Sequence, residues 1–205
     1  MIQTIGLHKI TNASIEDSIV DQMLVGEKVR ILYSDPPWGT GNLKYWATIN
    51  KKMTGKEFSP LTYDKLLDRI KDLSIKYVDG HVFIEVGVKW EDEVTQHMAS
   101  YLTNIQSFVT LYRSGSKILP CILMYGSTNQ KYKFDTQIYN PTNQTGQEVA
   151  KNCIKAVAEE GAIVLDPCCG MGYTARAAIA SKMRFRGNEF NSTRLQKTID
   201  FLASI

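Results

Sequence analysis

Apolar residues along this 205-residue chain alternate between short continuous runs and longer stretches at helical spacing. Short runs rich in β-branched residues predict strands, and helically spaced runs predict amphipathic helices. Strands are predicted over residues 4–10, 29–34, 81–88, 107–112, 120–125, 162–165 and 183–188. Helices are predicted over residues 15–24, 60–77, 90–102, 147–160, 173–181 and 191–203. This alternation indicates an α/β protein with a doubly wound, seven-stranded sheet and helices on both faces.

The segments between these elements predict one domain. Residues 39–60 carry three glycines and several lysines and predict a mobile loop or lid, while residues 127–145 are polar and irregular. Only residues 39–60, 113–119 and 126–145 remain outside the predicted elements, and none of them is large enough for a second domain. We therefore expect a single domain over residues 1–205.

The predicted strand over residues 29–34 runs into Asp35-Pro36-Pro37-Trp38. The two prolines end the strand and stiffen the backbone, which places a carboxylate, a rigid carbonyl and an aromatic ring at the carboxyl end. Ligands of open α/β sheets bind at that end. These groups suit a nucleobase with an exocyclic amino group. The carboxylate and the carbonyl can accept the amino hydrogens, and the aromatic ring can stack on the base. The alternative is a proline turn with a surface tryptophan.

A second motif follows the predicted strand over residues 162–165. Residues 166–174 read Asp-Pro-Cys-Cys-Gly-Met-Gly-Tyr-Thr and lead into a helix-forming stretch. Small residues let a ligand approach the backbone, and the following helix N-terminus can face it. Glu189 comes about 20 residues after the glycines, the spacing of an acid that binds ribose hydroxyls in dinucleotide folds. The order of these features indicates an adenosine-type cofactor.

Together the motifs resemble those of amino-methyltransferases that use S-adenosylmethionine to methylate adenine N6 or cytosine N4. The catalytic motif precedes the cofactor loop, as in the circularly permuted β class and its Asp-Pro-Pro-Trp branch. The resemblance implies a Rossmann-like methyltransferase fold with a seven-stranded, mostly parallel sheet. It assigns catalysis to Asp35, Pro36, Pro37 and Trp38. It assigns cofactor binding to Asn12, Asp35, Thr142, Asn143, Asp166, Pro167, Cys168, Cys169, Gly170, Gly172, Tyr173, Thr174, Glu189, Phe190 and Asn191.

Four positions depart from the family pattern. Tyr173 replaces a small residue after the second glycine, and Cys168 replaces a frequent aromatic residue. Gln144 stands where a lysine often meets the cofactor carboxylate, and Asn12 offers an amide where a carboxylate is usual. These changes bear on the affinity for the cofactor more than on its identity.

The resemblance favours methylation of adenine N6 in nucleic acid, with DNA as the preferred substrate and a short or loose sequence requirement. Cytosine-N4 methylation, RNA adenine-N6 methylation and a non-catalytic binding subunit remain alternatives. A nicotinamide dehydrogenase is disfavoured because Arg176 or Ala177 occupies the region of the third glycine. A homodimer or a partner subunit, and a restriction-modification or phage setting, are compatible with the sequence.

Composition and charge fit this interpretation without requiring it. The net charge is +3, but no acidic residue lies between Glu93 and Asp135. Phosphate contacts need basic side chains, and candidates are Lys44, Lys51, Lys52, Lys56, Arg113, Lys117, Lys131 and Lys133. The four cysteines and three histidines lack metal-ligand spacing, so no metal is expected. No apolar run has membrane-spanning length and no signal peptide is evident, so a cytoplasmic protein without a membrane partner is expected.

Overall fold

The computed structural model describes residues 1–55 and 61–205. Within these residues, eight strands form one sheet: β1 Ile2–Ile5, β2 His8–Thr11, β3 Val29–Ser34, β4 Val78–Gly87, β5 Thr103–Ser114, β6 Lys117–Ser127, β7 Ile163–Asp166 and β8 Arg184–Asn188. The helices are α1 Ser18–Leu24, α2 Gly39–Thr54, α3 Tyr63–Tyr77, α4 Glu91–Ala99, α5 Gly146–Ala156, α6 Tyr173–Ala180 and α7 Ser192–Ala203, and a short 3₁₀ turn, Val88–Trp90, precedes α4.

The strand order is β1-β2-β8-β7-β3-β4-β6-β5. Neighbours from β2 to β4 are parallel, whereas β1 and β6 run in the opposite direction to the strands beside them. The mostly parallel sheet predicted from the sequence is confirmed. Because β3, β7 and β8 are adjacent and parallel, the motifs that follow them meet at one edge of the sheet.

Helices cover both faces of the sheet, as predicted. Helices α1 to α4 pack on one face around Leu32, Ile84 and Leu165, which are all buried. Helices α5 to α7 pack on the other face around Phe83 and Phe185. The sheet is therefore the middle of three layers, and the two core clusters leave its carboxyl edge open for a site.

The amino-terminal region differs from the prediction. The single strand expected over residues 4–10 is a hairpin of β1 and β2, which turns at Gly6 and Leu7, and Gly6 has φ +55°. This raises the strand count from seven to eight. The first helix also starts later than the predicted residue 15, because Asp17 caps it by accepting from the amide of Ile19 at 3.0 Å.

The loop predicted over residues 39–60 is wrong for most of its length. Residues 39–54 form α2, and residues 56–60 lie outside the described part of the chain. Leu43, Trp46, Ala47 and Asn50 recur at helical spacing and face the protein, and Leu43 joins the core. A loop was predicted because the first turn of α2 contains two glycines, which are unfavourable inside a helix.

Strands β5 and β6 extend beyond the rest of the sheet. The last residue pair between β4 and β6 joins Gly87 to Cys121, whereas pairing between β5 and β6 continues to Ser114 and Lys117. Residues 111–114 and 117–120 therefore form a two-stranded projection, here called the β-ribbon. It rises from the same carboxyl edge at which β3, β7 and β8 end. None of the described helices is both long and apolar enough to span a membrane.

Candidate active site

A cleft of about 850 Å³ opens at the carboxyl ends of β3, β7 and β8, within the range of ligand pockets. The residues predicted for the site that line it are Asp35, Pro36, Pro37, Trp38, Pro167, Cys168, Tyr173, Glu189, Phe190 and Asn191. The sheet topology thus brings the Asp35–Trp38 motif and the residues after β7 and β8 into one cavity. Asn12, Thr142, Asn143, Asp166, Cys169, Gly170, Gly172 and Thr174 lie around the cleft and not on its lining.

Asp35 and Trp38 contact each other at the floor of the cleft. The indole N–H of Trp38 donates to Asp35 Oδ1 at 3.1 Å, and its amide N–H donates to Asn42 Oδ1 at 3.1 Å. The Trp38 ring meets the edge of Tyr112 with centroids 5.0 Å apart. A side chain at Gly87 would lie 3.1 Å from this ring. The ring is therefore fixed between β4 and β5, beside the carboxylate.

The Asp35 carboxylate reaches solvent through the cleft, but protein surrounds its other sides. Loss of hydration raises the pKa of Asp35, while the Trp38 hydrogen bond and the Arg194 guanidinium lower it. Glu85, on the neighbouring strand β4, is buried and accepts a hydrogen bond from the Tyr33 hydroxyl at 2.5 Å. Burial raises the pKa of Glu85 as well, and the charge of Asp35 adds to the effect. Two carboxyl groups that disfavour each other's ionisation therefore lie at the ends of β3 and β4.

Asp166 organises the loop after β7. Its Oδ1 accepts from the amide of Cys168 at 3.0 Å, and its Oδ2 accepts from the hydroxyl of Thr174 at 2.6 Å. Asp166 is buried, and burial raises its pKa to about 7 against the lowering effect of these two hydrogen bonds. Asp166 and Thr174 therefore shape the loop from below.

The two glycines of this loop occupy positions that exclude other residues. Gly170 and Gly172 have φ +51° and +84°. A Cβ at Gly170 would lie 2.7 Å from the Arg194 guanidinium, and one at Gly172 would lie 2.7 Å from Thr198 Oγ1. Both contacts are too short for a Cβ, so these positions require glycine.

Glu189 joins the loop to the turn after β8. Its Oε2 accepts from the amide of Gly170 at 2.9 Å, and its Oε1 accepts from the amide of Asn191 at 2.8 Å. The side-chain amide of Asn12 donates to the carbonyls of Glu189 and Phe190 at 2.7 and 2.8 Å. Asn12 thus supports this turn from behind, and Asn191 caps α7 by accepting from the amide of Arg194 at 3.0 Å.

Helix α2 lies across one side of the cleft. The Arg194 guanidinium stacks on the Trp46 ring at 4.4 Å, and the Asn191 side-chain amide donates to Met53 Sδ at 3.6 Å. These contacts join α2 to the start of α7. Residues 39–54 of the segment predicted to be a lid thus form a helix along one side of the cleft.

Thr142 and Asn143 are exposed and precede the cleft wall, which is formed by residues 145–148 at the start of α5. The amide of Asn143 donates to the Val109 carbonyl at 2.9 Å, and the amide of Leu111 donates to the Gln144 carbonyl at 2.8 Å. The backbone here pairs with β5 and covers part of that edge strand.

Sequence reasoning missed several residues of the site. Glu85, Tyr112 and Arg194 belong to no motif recognised in the sequence, and Asn188, which precedes Glu189, was given no role. Asn188 is buried on the cleft lining, and its Oδ1 has no hydrogen-bond partner among the described residues. The signal for Glu85 was an acidic residue inside a predicted buried strand, where charge is costly. Within residues 1–55 and 61–205, no group of three or more metal-ligating side chains comes together.

Comparison with known proteins gives one partial match to a family model. The N6/N4 methylase family model, described as a DNA methylase, matches residues 118–200. This span covers the loop after β7 and Glu189, but it does not include Asp35. No curated protein matches the sequence.

Solved structures match nearly the whole chain. The complex of M1.HpyAVI with S-adenosylmethionine has a TM-score of 0.67 at 16% identity and covers 94% of this chain and 98% of its own. A putative DNA modification methylase from Thermus thermophilus, complexed with S-adenosyl-L-methionine, has a TM-score of 0.65 at 15% identity, with 96% and 93% covered. The cytosine-N4-specific PvuII DNA methyltransferase has a TM-score of 0.63 at 12% identity, with 84% and 79% covered. The chain therefore has the α/β methyltransferase fold.

Proposed function

We propose that this chain transfers a methyl group from S-adenosylmethionine to N6 of adenine in nucleic acid, with DNA as the preferred substrate. The observation that carries the proposal is that the Asp35–Trp38 motif and Glu189 line one cleft, although they are far apart in the sequence. The fold, the family match over residues 118–200 and the S-adenosylmethionine complexes of similar structures support the same reaction.

The residues around the cleft fit this cofactor. The carboxylate of Glu189 provides acceptors for ribose hydroxyls, and the Phe190 ring provides an apolar surface for an adenine. Gly170 and Gly172 allow the positive φ angles of the loop after β7, part of which lines the cleft. Asn188 on the same lining has an Oδ1 with no hydrogen-bond partner among the described residues. Asp35 adds negative charge that favours a cationic ligand.

The cofactor supplies an activated methyl group bonded to a positively charged sulfur. Asp35 and the carbonyl of Pro36 accept the two hydrogens of the target amine, which directs the nitrogen lone pair toward the methyl carbon. Formation of the N–C bond would break the C–S bond of the bound cofactor, and the electron pair of that bond would stay on sulfur. The amine then loses one proton, for which Asp35 is the acceptor. Trp38 stacks on the base and fixes its orientation.

The choice of adenine over cytosine rests on the motif. An aspartate at the first position favours adenine by resemblance, because cytosine-N4 enzymes often have serine there. The fold does not separate the two, since the cytosine-N4-specific PvuII enzyme is among the structural matches. Cytosine N4 therefore remains the second candidate.

We further infer a short or loose sequence requirement. Lys44, Lys51 and Lys52 are exposed on α2 beside the cleft, where they can contact phosphates irrespective of the base sequence. Lys56 lies outside the described residues. Lys131, in contrast, lies beside Tyr132 at the opposite end of the sheet, so it is not part of this surface.

The test is to incubate the purified chain with the cofactor and four substrates: single- and double-stranded DNA and RNA of mixed sequence. Each product is then digested to nucleosides, and the methylated nucleosides are identified by mass spectrometry. The proposal predicts N6-methyldeoxyadenosine from DNA. N4-methyldeoxycytidine would establish the second candidate instead, and N6-methyladenosine from RNA alone would move the substrate from DNA to RNA. Cofactor binding with no methylated nucleoside from any substrate would identify a binding subunit and contradict the proposal.

A further inference from the structure

The β-ribbon forms one side of the cleft mouth. Tyr112 and Arg113 of the ribbon line the cleft, and the Tyr112 ring contacts Trp38. Helix α2 lies on another side and carries the exposed Tyr45 and Lys44. If a base is held against Trp38, the rest of its nucleic-acid strand would therefore lie between α2 and the β-ribbon.

Two large apolar side chains are exposed on the β-ribbon. Ile118 is 51% exposed and Leu119 is 45% exposed. In the register of the two strands, Leu119 pairs with Tyr112, and Ile118 pairs with Arg113. Directly paired residues point to the same face of a sheet. Leu119 therefore continues the face formed by Tyr112, while Ile118 lies on the opposite face.

The charge around these apolar residues suits a polyanion. Arg113 and Lys117 flank the two-residue turn of the ribbon, and both are exposed. No acidic residue occurs in residues 94–134, which include the whole ribbon, or in residues 39–54, which form α2. A ribbon with an exposed apolar side chain on each face and two cations near its turn, beside a cleft that takes a base, is complementary to stacked bases between phosphates.

We propose that the β-ribbon is a wedge that enters a nucleic-acid duplex next to the target base. Leu119, on the face formed by Tyr112, occupies the stacking space left beside the extruded base, and Ile118 presents an apolar surface on the opposite face of the ribbon. Arg113 and Lys117 contact the flanking phosphates. A two-stranded ribbon fits the major groove, and apolar side chains inserted between base steps unstack them. This inference rests on the proposed function, because it takes the cleft as the place where the base goes. No separate sequence signal marks the ribbon, because it is a continuation of two sheet strands.

The test measures binding of the full chain to a fluorescein-labelled DNA duplex of mixed sequence, and to one of its strands alone, by anisotropy. The variant combines Ile118→Ser with Leu119→Ser, which changes only exposed side chains. The matched control is Leu7→Ser, a 72% exposed leucine in the β1–β2 turn at the opposite end of the sheet. The double variant should bind the duplex at least about tenfold more weakly, since unstacking a step costs a few kcal/mol. It should bind the single strand within about twofold of the wild type, because no base step has to be opened.

Equal affinities of wild type and double variant for the duplex would overturn the wedge, and so would an equal loss for duplex and single strand. A dimer that the double variant converts to a monomer, with unchanged duplex affinity, would assign these residues to self-association and also overturn it. A wild type that binds neither probe would overturn it too. A chain that shows the expected duplex-specific loss but methylates no substrate would support the wedge and contradict the proposed function.

Discussion

The indole N–H of Trp38 donates a hydrogen bond to Asp35 Oδ1 across 3.1 Å. The two residues are three positions apart in the sequence, and the intervening prolines hold them at this distance. The bond occupies one oxygen of the carboxylate and orients the other. Trp38 therefore has two separable roles: its N–H positions Asp35, and its ring stacks on the base.

Substitutions at Trp38 should separate these roles. Trp38→Phe keeps a ring but loses the bond to a charged acceptor, so we expect kcat to fall about tenfold, with little change in KM for nucleic acid. Trp38→Ala also loses the stacking surface, and KM should rise by a further tenfold or so. Steady-state kinetics on one oligonucleotide distinguish the two variants. Identical kinetics for Trp38→Phe and Trp38→Ala would show that the ring does not stack on the base.

The rate of methyl transfer should fall at acidic pH. Asp35 must be ionised to accept the amine hydrogens, and loss of hydration raises its pKa above the usual value. Activity is therefore present above this raised pKa and is lost as the pH falls through it, at a higher pH than for an ordinary aspartate. The charged and titratable groups around Asp35 are Tyr33, Glu85, Tyr112, Cys121, Asp166, Cys168 and Arg194.

Two variants at the neighbours of Asp35 should affect this acid limb differently. Arg194→Gln removes the cation that lowers the pKa of Asp35, so the limb should move to higher pH. Burial raises the pKa of Glu85 to about 8, so its carboxyl is neutral where Asp35 titrates, and Glu85→Gln should leave the limb nearly in place. The pH profile of kcat/KM measures both variants, and Arg194→Lys should restore the wild-type profile. A limb that stays in place in Arg194→Gln would show that Asp35 is not the titrating group.

Glu189→Ala should weaken cofactor binding before it affects the chemical step. Loss of hydrogen bonds to a charged acceptor suggests a penalty of about 1.5–3 kcal/mol in binding. Because Glu189 also accepts from the amides of Gly170 and Asn191, Glu189→Gln, which keeps one acceptor oxygen, serves as the control. Calorimetry gives the dissociation constant, and the rate at saturating cofactor should fall much less. An unchanged dissociation constant in Glu189→Ala would leave Glu189 with a structural role alone.

Two glycines at the start of α2 should respond oppositely to alanine. Gly39 has φ +76°, and a Cβ there would lie 2.1 Å from the Trp90 ring. Gly39→Ala should therefore cost at least about 2 kcal/mol of stability from backbone strain and overlap. Gly41 lies inside the helix with nothing within 4 Å of its Cβ position, so Gly41→Ala should add about 0.5–1 kcal/mol. Urea unfolding monitored by circular dichroism tests both, and a stable Gly39→Ala would contradict the position of Trp90.

The sequence predicted the elements that follow a simple period. The prediction of β3 matches the structure residue for residue, and α6 and α7 begin where their capping and glycine signals placed them. Helix α2 was missed because Gly39 and Gly41 suggested a loop, although Leu43, Trp46 and Ala47 follow helical spacing. Tertiary packing against α7 and the core decided the outcome there.

The candidate site could be predicted only in part, for a related reason. Asp35 and Glu189 stand in local motifs that are visible in one sequence. Glu85 and Arg194 interact electrostatically with Asp35, which lies on a different element from either of them. Only the strand order brings these residues close to one another. Asn12 and Asp166 lie beside the loops that border the cleft, and their contacts support these loops rather than the cleft surface.

The most direct test of the proposed function follows a labelled methyl group from cofactor to base. Wild type and Asp35→Ala are incubated with DNA and S-adenosylmethionine carrying a deuterated methyl group, at equal cofactor occupancy set by calorimetry. We predict that the wild type produces N6-methyldeoxyadenosine with the full label. Asp35→Ala should bind the cofactor normally and transfer the label at least about 100-fold more slowly. Label on no nucleoside in the wild type, or near-normal transfer by Asp35→Ala, would contradict the account.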